Sequence, residues 1–323
     1  MTKAIRIHAT GGPEVLRWEE VPVPEPGPGE VLLRHEAVGL NYIDVYFRTG
    51  LYKLPNLPAV IGQEGAGVVA ALGDGVTRFA VGDRVAYAGS LGAYAKVRVI
   101  PADRLIKLPD GVSSEVAAAI TLQGLTAHYL IHRTYVVKPG DTVLVHAAAG
   151  GVGLLLCQWA SHLGARVIGV VSSAAKAELV REAGASHAIV GSATLAGEVK
   201  RITGGEMVPV VYDSVGRDTF HVSLDCLAPL GLMVSYGNSS GPVPPFELSL
   251  LSAKGSLFIT RPTLAPYTSK RPILEKMAAE LFGAVRDGVL RANINQTFPL
   301  SEAAAAHTAL EGRQTTGQTV LIP

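Results

Sequence analysis

The run Val143-Leu-Val-His-Ala-Ala-Ala-Gly-Gly-Val-Gly153 limits what this chain can fold into more than any other stretch. Val143, Leu144 and Val145 make a short apolar run of the kind buried in a parallel sheet. Small residues follow, and the apolar segment 154–163 then reads as a helix. Strand, glycine turn and helix start, in that order, aim backbone N–H groups and the positive end of a helix dipole at an anion. Laid on the dinucleotide fingerprint G-x-G-x-x-G, the stretch gives Ala148-Ala-Gly150-Gly-Val-Gly153. The second and third glycines are present, where backbone approaches a pyrophosphate and where helix packs on strand; the first position is alanine. Ala148, Gly150, Gly151, Val152 and Gly153 are the expected pyrophosphate cradle. The flanking strand and helix turn a weak motif into a specific one.

The flanks give the architecture. Strands are expected at 142–146, 166–171, 187–190, 208–213 and 230–236, with helices at 151–163, 174–183, 194–203 and 217–224 between them. Such alternation predicts a doubly wound parallel sheet. Residues 1 to about 121 differ. Alternating runs at 4–7, 31–38, 67–72, 84–88 and 93–99 are split by turn signals such as Gly73-Asp-Gly75, which predicts a mostly-β module. Ser113-Ser-Glu115 reads as a helix start, and 121–134 as a second helical stretch. The tail is helical at 271–287 and 301–311 and extended at 293–299 and 318–322, as if returning to close the first module. The expected fold is therefore α/β, with a catalytic domain of residues 1–121 and 267–323 and a cofactor domain of residues 122–266. A cleft between them is the natural place for a ligand.

Composition excludes several functions. Net charge is +1 and no basic–aromatic stripe occurs, which argues against nucleic acid as a partner. No apolar run approaches the ~20 residues of a membrane span. The N-terminus alternates like a strand and has no signal-peptide core, so a cytoplasmic protein is expected. Cys157 and Cys226 lie in apolar stretches and read as buried thiols.

The strand after the glycine turn ends Val170-Val-Ser-Ser-Ala-Ala-Lys176. NAD enzymes usually place a carboxylate there for the ribose 2′-hydroxyl. Ser172, Ser173 and Lys176 would instead suit a 2′-phosphate, which points to NADPH; Arg313 on the tail is a possible second charge. The plainer alternative is that Ser172 caps a helix and Lys176 is a solvated surface residue.

Ile61-Gly-Gln-Glu-Gly-Ala-Gly67, followed by Val81-Gly-Asp-Arg-Val85, resembles the Gly-His-Glu core of the GroES-like catalytic domain in the medium-chain dehydrogenase/reductase superfamily. In zinc members of that superfamily the histidine is a ligand and a cysteine in the preceding segment is another. Here the positions hold Gln63 and Asn41, and no cluster of four cysteines occurs. Zinc favours thiolate and imidazole over neutral amides, so no metal is expected. Without a Lewis acid an alcohol is a poor hydride donor, whereas a quinone or enone spreads the incoming charge onto a distant oxygen. The expected substrate is an activated acceptor.

Asn41-Tyr-Ile-Asp-Val-Tyr-Phe-Arg-Thr-Gly-Leu-Tyr52, the glycine turn, Val211-Tyr-Asp-Ser-Val-Gly-Arg-Asp218, Gly237-Asn-Ser-Ser-Gly241 and Thr260-Arg-Pro262 resemble the quinone oxidoreductase (zeta-crystallin-like) family over essentially the whole chain. The resemblance implies a GroES-like domain plus a Rossmann domain, NADPH, no zinc and a homodimer built through the cofactor domains. It places Asn41, Asp44 and Tyr46 near the nicotinamide and the quinone, with Tyr52 and Arg261 as further polar walls. It also assigns Thr126 and Tyr129 to the nicotinamide half, Ser214 and Asn238 to strand ends at the cofactor, and Lys176 and Arg313 to the 2′-phosphate. On helical spacing alone Tyr129 could equally be core, and the lesser alternative for Tyr46 is a core aromatic at a domain edge. Relatives often carry a tyrosine where this chain has Gly191, near the adenosine phosphate. The implied reaction is hydride transfer from NADPH to a quinone, with Tyr46 the best candidate hydrogen-bond donor. Its rivals are an enone reductase on the same fold, and a non-catalytic cofactor-binding crystallin or RNA-binding protein.

Overall fold

Short alternating runs near the N-terminus bury one face each, and the computed structural model, which describes residues 1–323, packs them into the first of two units. Unit 1 comprises Met1–Leu125, Thr268–Arg286 and Ala292–Pro323; unit 2 comprises Thr126–Tyr267 and Asp287–Arg291.

In unit 1 a sheet runs in the order Ile294–Pro299, Gln318–Ile322, Glu30–Leu40, Glu64–Leu72, Arg84–Ala88, Ile106–Lys107, with Val97–Pro101 also paired to Glu30–Leu40. A smaller sheet joins Arg17–Val21, Thr2–Ile7 and Ala59–Val60. The core includes Ile5, Leu33, Val38, Ile61, Tyr87, Tyr94, Ile100, Leu300 and Leu321. The tail strand Gln318–Ile322 is integral, pairing Thr319 with Leu40 and Leu321 with Val38.

Two expectations need correction here. The run at 93–99 is not one strand, because it changes sheets. Tyr94 and Lys96 bond to the first strand (Ile5 N to Tyr94 O, 2.8 Å; Lys96 N to Lys3 O, 3.0 Å), and only Val97–Pro101 joins the larger sheet. The two helical stretches after Ser113 are one helix, Ser114–Tyr129, ending in a single π turn at Leu130–Thr134. Ser113 does open it, its Oγ accepting from the Val116 N–H at 3.1 Å.

Unit 2 is built on a parallel sheet in the order His187–Val190, Arg166–Val171, Thr142–Val145, Val208–Asp213, Leu227–Ser235, Phe258–Thr260. Leu144, Ile168, Val211, Phe220 and Met233 lie in its core. The chain fills this sheet outward from Thr142–Val145 in one direction, then returns to Val208–Asp213 and fills the other side. That reversal is the switch point at which open α/β sheets leave a crevice beyond the carboxyl ends of their strands. No helix is long and apolar enough to cross a membrane.

Candidate active site

The glycine turn leaves the sheet at the switch point. Gly150 is the N-cap of the helix Gly151–His162, so the positive end of that helix stands at the strand end. Ala147 adopts a left-handed φ of 48°, and its carbonyl accepts from the Gly150 N–H at 2.9 Å. A Cβ on Gly153 would lie 2.5 Å from the Ala147 carbonyl oxygen and 2.7 Å from the Ala148 Cα, so only glycine fits there. Ala148, the departure from the fingerprint, is accommodated across the sheet. A Cβ on Gly169 would approach its methyl to 3.0 Å, and Gly169 has none.

The neighbouring turn, after Val208–Asp213, is organised by Asp213. This fully buried carboxylate accepts at Oδ1 from the N–H groups of Val215 (2.7 Å) and Gly216 (3.1 Å). At Oδ2 it accepts from the hydroxyls of Thr219 (2.6 Å) and Ser223 (2.8 Å). Ser223 in turn lies 3.0 Å from His146 Nε2. Burial lowers the His146 pKa, so the ring is neutral and carries its proton on Nε2, facing the Ser223 oxygen. One buried network thus ties the residue that enters the glycine turn to the next turn along the sheet. The turns that carry Ser214 and Asn238 come together beside it: Ser239 N bonds the Ser214 carbonyl at 3.2 Å, and a Cβ on Gly237 would meet that carbonyl at 2.4 Å.

Other expected residues of unit 2 take these places. Ser172 is exposed just past Val171; the cap of the next helix, Ala174–Glu182, is Ser173, whose Oγ accepts from the Lys176 N–H at 3.4 Å. The capping role weighed for Ser172 therefore belongs to Ser173. Lys176 is half-buried, and Gly191 bonds the Val171 carbonyl at 2.8 Å, next to Ser172. Thr126 and Tyr129 lie on the last turn of their helix; both are buried, and Tyr129 stacks on Tyr267 with centroids 4.3 Å apart. Arg261 is exposed after Phe258–Thr260.

In unit 1 the segment expected to face the substrate is a helix, Tyr42–Thr49, which the sequence reading had not anticipated. Asn41 is its N-cap, and the Asp44 carboxylate reaches back to accept from the Asn41 N–H at 2.9 Å, half of a capping box. Tyr46 is buried and its ring meets Tyr52 edge-on at 5.2 Å. Arg313, on the turn after the last helix, is close enough to Tyr42 to oppose the rise in that phenol's pKa, which burial and then Glu311 produce. Arg313 and Lys176 belong to different units.

Behind this helix run buried polar side chains that the sequence reading did not single out. From Asp44 one line continues through Tyr94 OH (3.1 Å), His307 Nε2 (3.0 Å) and His307 Nδ1 to Arg48 Nη1 (3.3 Å). Arg48, almost fully buried, closes on Glu311 in an ion pair, its Nη2 donating to Oε2 at 2.8 Å and its Nη1 lying 2.7 Å from Oε1. Burial, with Arg48 beside it, holds His307 down at about 3, so the ring is neutral. All donors therefore point one way: Arg48 to His307, His307 to Tyr94, Tyr94 to Asp44. Burial pushes Asp44 up to about 7 and Glu64 up to about 8, against the N–H and O–H donors that favour their charged forms. Polar residues inside otherwise apolar runs, such as Gln123 in 116–127 and Asp213 after 208–212, are the signal that could have exposed these lines.

The donor set does not fit zinc. Gln63 and Asn41 offer neutral amides, Asn41 is engaged with Glu64 and Gln123, and no group of three or more His, Cys, Asp or Glu side chains is placed to hold a metal. The glycine turn does fit a dinucleotide, because Gly150, at the N-cap of Gly151–His162, carries no side chain where a pyrophosphate would approach, and Gly153 lets the helix start pack against the backbone of Ala147 and Ala148.

Comparison with known proteins agrees with this division. The alcohol dehydrogenase GroES-like domain matches residues 27–110, and the profile described as zinc-binding dehydrogenase matches 151–269. A quinone oxidoreductase of Pseudomonas aeruginosa is 54% identical over 325 residues, covering 100% of both chains. The chain belongs to the quinone oxidoreductase family. Within this family, a solved Escherichia coli quinone oxidoreductase complexed with NADPH matches at a TM-score of 0.98 and 48% identity, covering 99% of this chain and 100% of that one. A 2-haloacrylate reductase of Burkholderia is also 48% identical, over 100% of this chain and 99% of its own. The family lies in the medium-chain dehydrogenase/reductase superfamily, and its GroES-like and Rossmann parts correspond to the mostly-β unit 1 and the parallel-sheet unit 2. Its zinc-named profile spans only the Rossmann part, away from Asn41 and Gln63.

Proposed function

We infer that this chain is an NADPH-dependent quinone reductase that works without a metal. One observation carries the reading: amides stand where a metal-dependent alcohol dehydrogenase needs ligands, in a chain whose other unit is built to cradle a dinucleotide. NADPH, when bound, supplies a hydride equivalent at its nicotinamide. The chain's own part is to bind, orient and exclude water. Gly150 to Gly153 would hold the pyrophosphate, with Ala148 beneath it and Ser214 and Asn238 at the adjoining strand ends. Thr126 and Tyr129 would steady the nicotinamide half. Asn41, Asp44, Tyr46, Tyr52 and Arg261 would line the acceptor's place, where amide and phenol hydrogen atoms stabilise charge arriving on a carbonyl oxygen. The family reading also gives a homodimer in the cytoplasm, which sedimentation and cell fractionation test.

Oxidation of NADPH in the presence of 1,4-naphthoquinone, an alkenal and 2-chloroacrylate tests the reaction. Quinone turnover should dominate. Efficient turnover of the two alkenes alone would replace this reading with the activity named for the Burkholderia relative, and cofactor binding without any oxidation would leave a binding protein.

Cofactor choice has its own test. With no carboxylate at the end of Arg166–Val171, Lys176 would pair with the 2′-phosphate. Lys176→Ala should weaken NADPH about tenfold, the loss of one charge-assisted contact, and leave NADH within about twofold of wild type. Equal losses in fluorescence titrations with both cofactors would reject the assignment.

A further inference from the structure

Four side chains of unit 1 form one buried hydrogen-bonded line strung between two backbone N–H groups. Leu122 N–H donates to Glu64 Oε1 at 2.6 Å, and Asn41 Nδ2 donates to Glu64 Oε2 at 2.7 Å. Gln123 Nε2 donates to Asn41 Oδ1 at 3.1 Å, and Gln318 Nε2 donates to Gln123 Oε1 at 3.2 Å. Asn293 N–H closes the line on Gln318 Oε1 at 2.7 Å. The four side chains are 7% exposed or less.

Both ends of this line are donors that cannot turn round. An amide in the line accepts on one side and donates on the other, so it only passes the direction along. Two donors facing inward are reconciled by a single member that accepts on both sides. The Glu64 carboxylate is that member. The ends and Glu64 together fix all three amides, with Asn41 holding its nitrogen toward Glu64 and its oxygen toward Gln123. One Glu64 contact and one Gln123 contact leave the Asn41 amide a second N–H hydrogen.

We propose that Glu64 is a positioning residue, whose carboxylate sets the direction of the Asn41 amide so that its second N–H donates to the carbonyl oxygen of the bound acceptor. This rests on the reading of Asn41 as an acceptor-side residue. If Glu64 takes up a proton, its O–H must donate, the line reverses, and Gln318 brings an N–H against that of Asn293. Donor against donor in a buried place is costly. The groups facing Glu64 are Asn41, the backbone at Thr121 and Leu122, and the titratable Asp44 and Tyr87. With burial pushing Glu64 up to about 8, and Asp44 adding in the same direction, the carboxylate form gains as pH rises through that value. Turnover should rise with it.

E64Q and E64Q/Q318E together test the proposal. E64Q removes the double acceptor and leaves the line with a donor clash. In E64Q/Q318E the double acceptor moves to the Asn293 end, so every bond can again be made, but the Asn41 amide must point the other way. E64Q should lower the melting temperature, shift the Asn41 side-chain 15N–1H pair, and reduce kcat with 1,4-naphthoquinone about 100-fold. KM for NADPH should change less than about threefold, and the rising pH limb near 8 should vanish. E64Q/Q318E should regain the melting temperature while its Asn41 resonances and kcat stay where E64Q put them. Recovery of kcat along with the melting temperature, or unmoved Asn41 resonances in E64Q, would overturn the proposal. A wild-type protein that never oxidises NADPH with the quinone would overturn the quinone reading instead, while the resonances still decide the amide direction.

Discussion

Asp213→Ala is expected to lower the stability of unit 2 by about 4 kcal/mol, whereas Asp213→Asn lowers it by about 1 kcal/mol or less. The difference lies in how the four bonds divide between the two oxygens. Oδ1 takes both backbone donors, Val215 and Gly216, and Oδ2 takes both hydroxyls, Thr219 and Ser223. An asparagine keeps its oxygen on the backbone side and turns its NH2 to the hydroxyls, which rotate to accept. Thr219 can then donate to the Gly216 carbonyl at 3.3 Å, and Ser223 to His146 once that ring moves its proton to Nδ1. Alanine offers nothing to the buried Gly216 N–H. Because the same network reaches His146 at the head of the glycine turn, Asp213→Ala should also weaken NADPH about 100-fold or more. Urea unfolding and cofactor titration of both variants measure these effects. Similar losses in the two would mean that the charge of Asp213 matters more than its hydrogen bonds.

Gly153→Ala should act on the fold, and Gly150→Ala on binding alone. At Gly153 the new methyl meets backbone, 2.5 Å from a carbonyl oxygen, and neither the turn nor the helix can yield without parting from the other. Overpacking of this kind costs about 3 kcal/mol. At Gly150 the nearest atom to a new methyl is the Ala147 oxygen at 3.2 Å, and its φ of −81° suits any residue. Stability should change by less than about 1 kcal/mol there, yet the methyl would occupy space where a pyrophosphate approaches, weakening NADPH about tenfold or more. Thermal melts and titrations separate the two glycines. Wild-type melting of Gly153→Ala would contradict the close packing.

Unit 2 was largely legible in the sequence because its strands are buried on both faces and its helices lie between them at regular intervals. Periodicity and the glycine turn both pointed to the same sheet. The edge strand Phe258–Thr260, three residues long and half exposed, carried too little pattern to be read. Unit 1 was harder. Arg17–Val21 is mostly polar, and Tyr42–Thr49 alternates as Ile43, Val45 and Phe47 would in a strand; only the Asn41–Asp44 spacing hinted at a helix start. In the buried lines single members such as Gln123 stood out as polar residues in apolar runs, but their partners were not legible. Glu64, Gln123, Gln318 and His307 are far apart along the chain, and their meaning comes from the partner each meets after folding. The positions of Asn41 and Gln63 were informative for the opposite reason. An amide where a ligand is customary reports a chemistry by its residue type, before any geometry is known.

The pairing of Leu40 with Thr319 bears on synthesis. As the chain leaves the ribosome, Val38, Gly39 and Leu40 appear early, but the strand that covers them cannot arrive until residues 319–321 have been made. All six strands of unit 2 fall in the interval, between residues 142 and 260, and can pair as they emerge. The larger sheet of unit 1, begun before unit 2, is thus completed after it, and it waits with an apolar edge uncovered. Slow translation or truncation near the C-terminus should therefore endanger the unit that was made first.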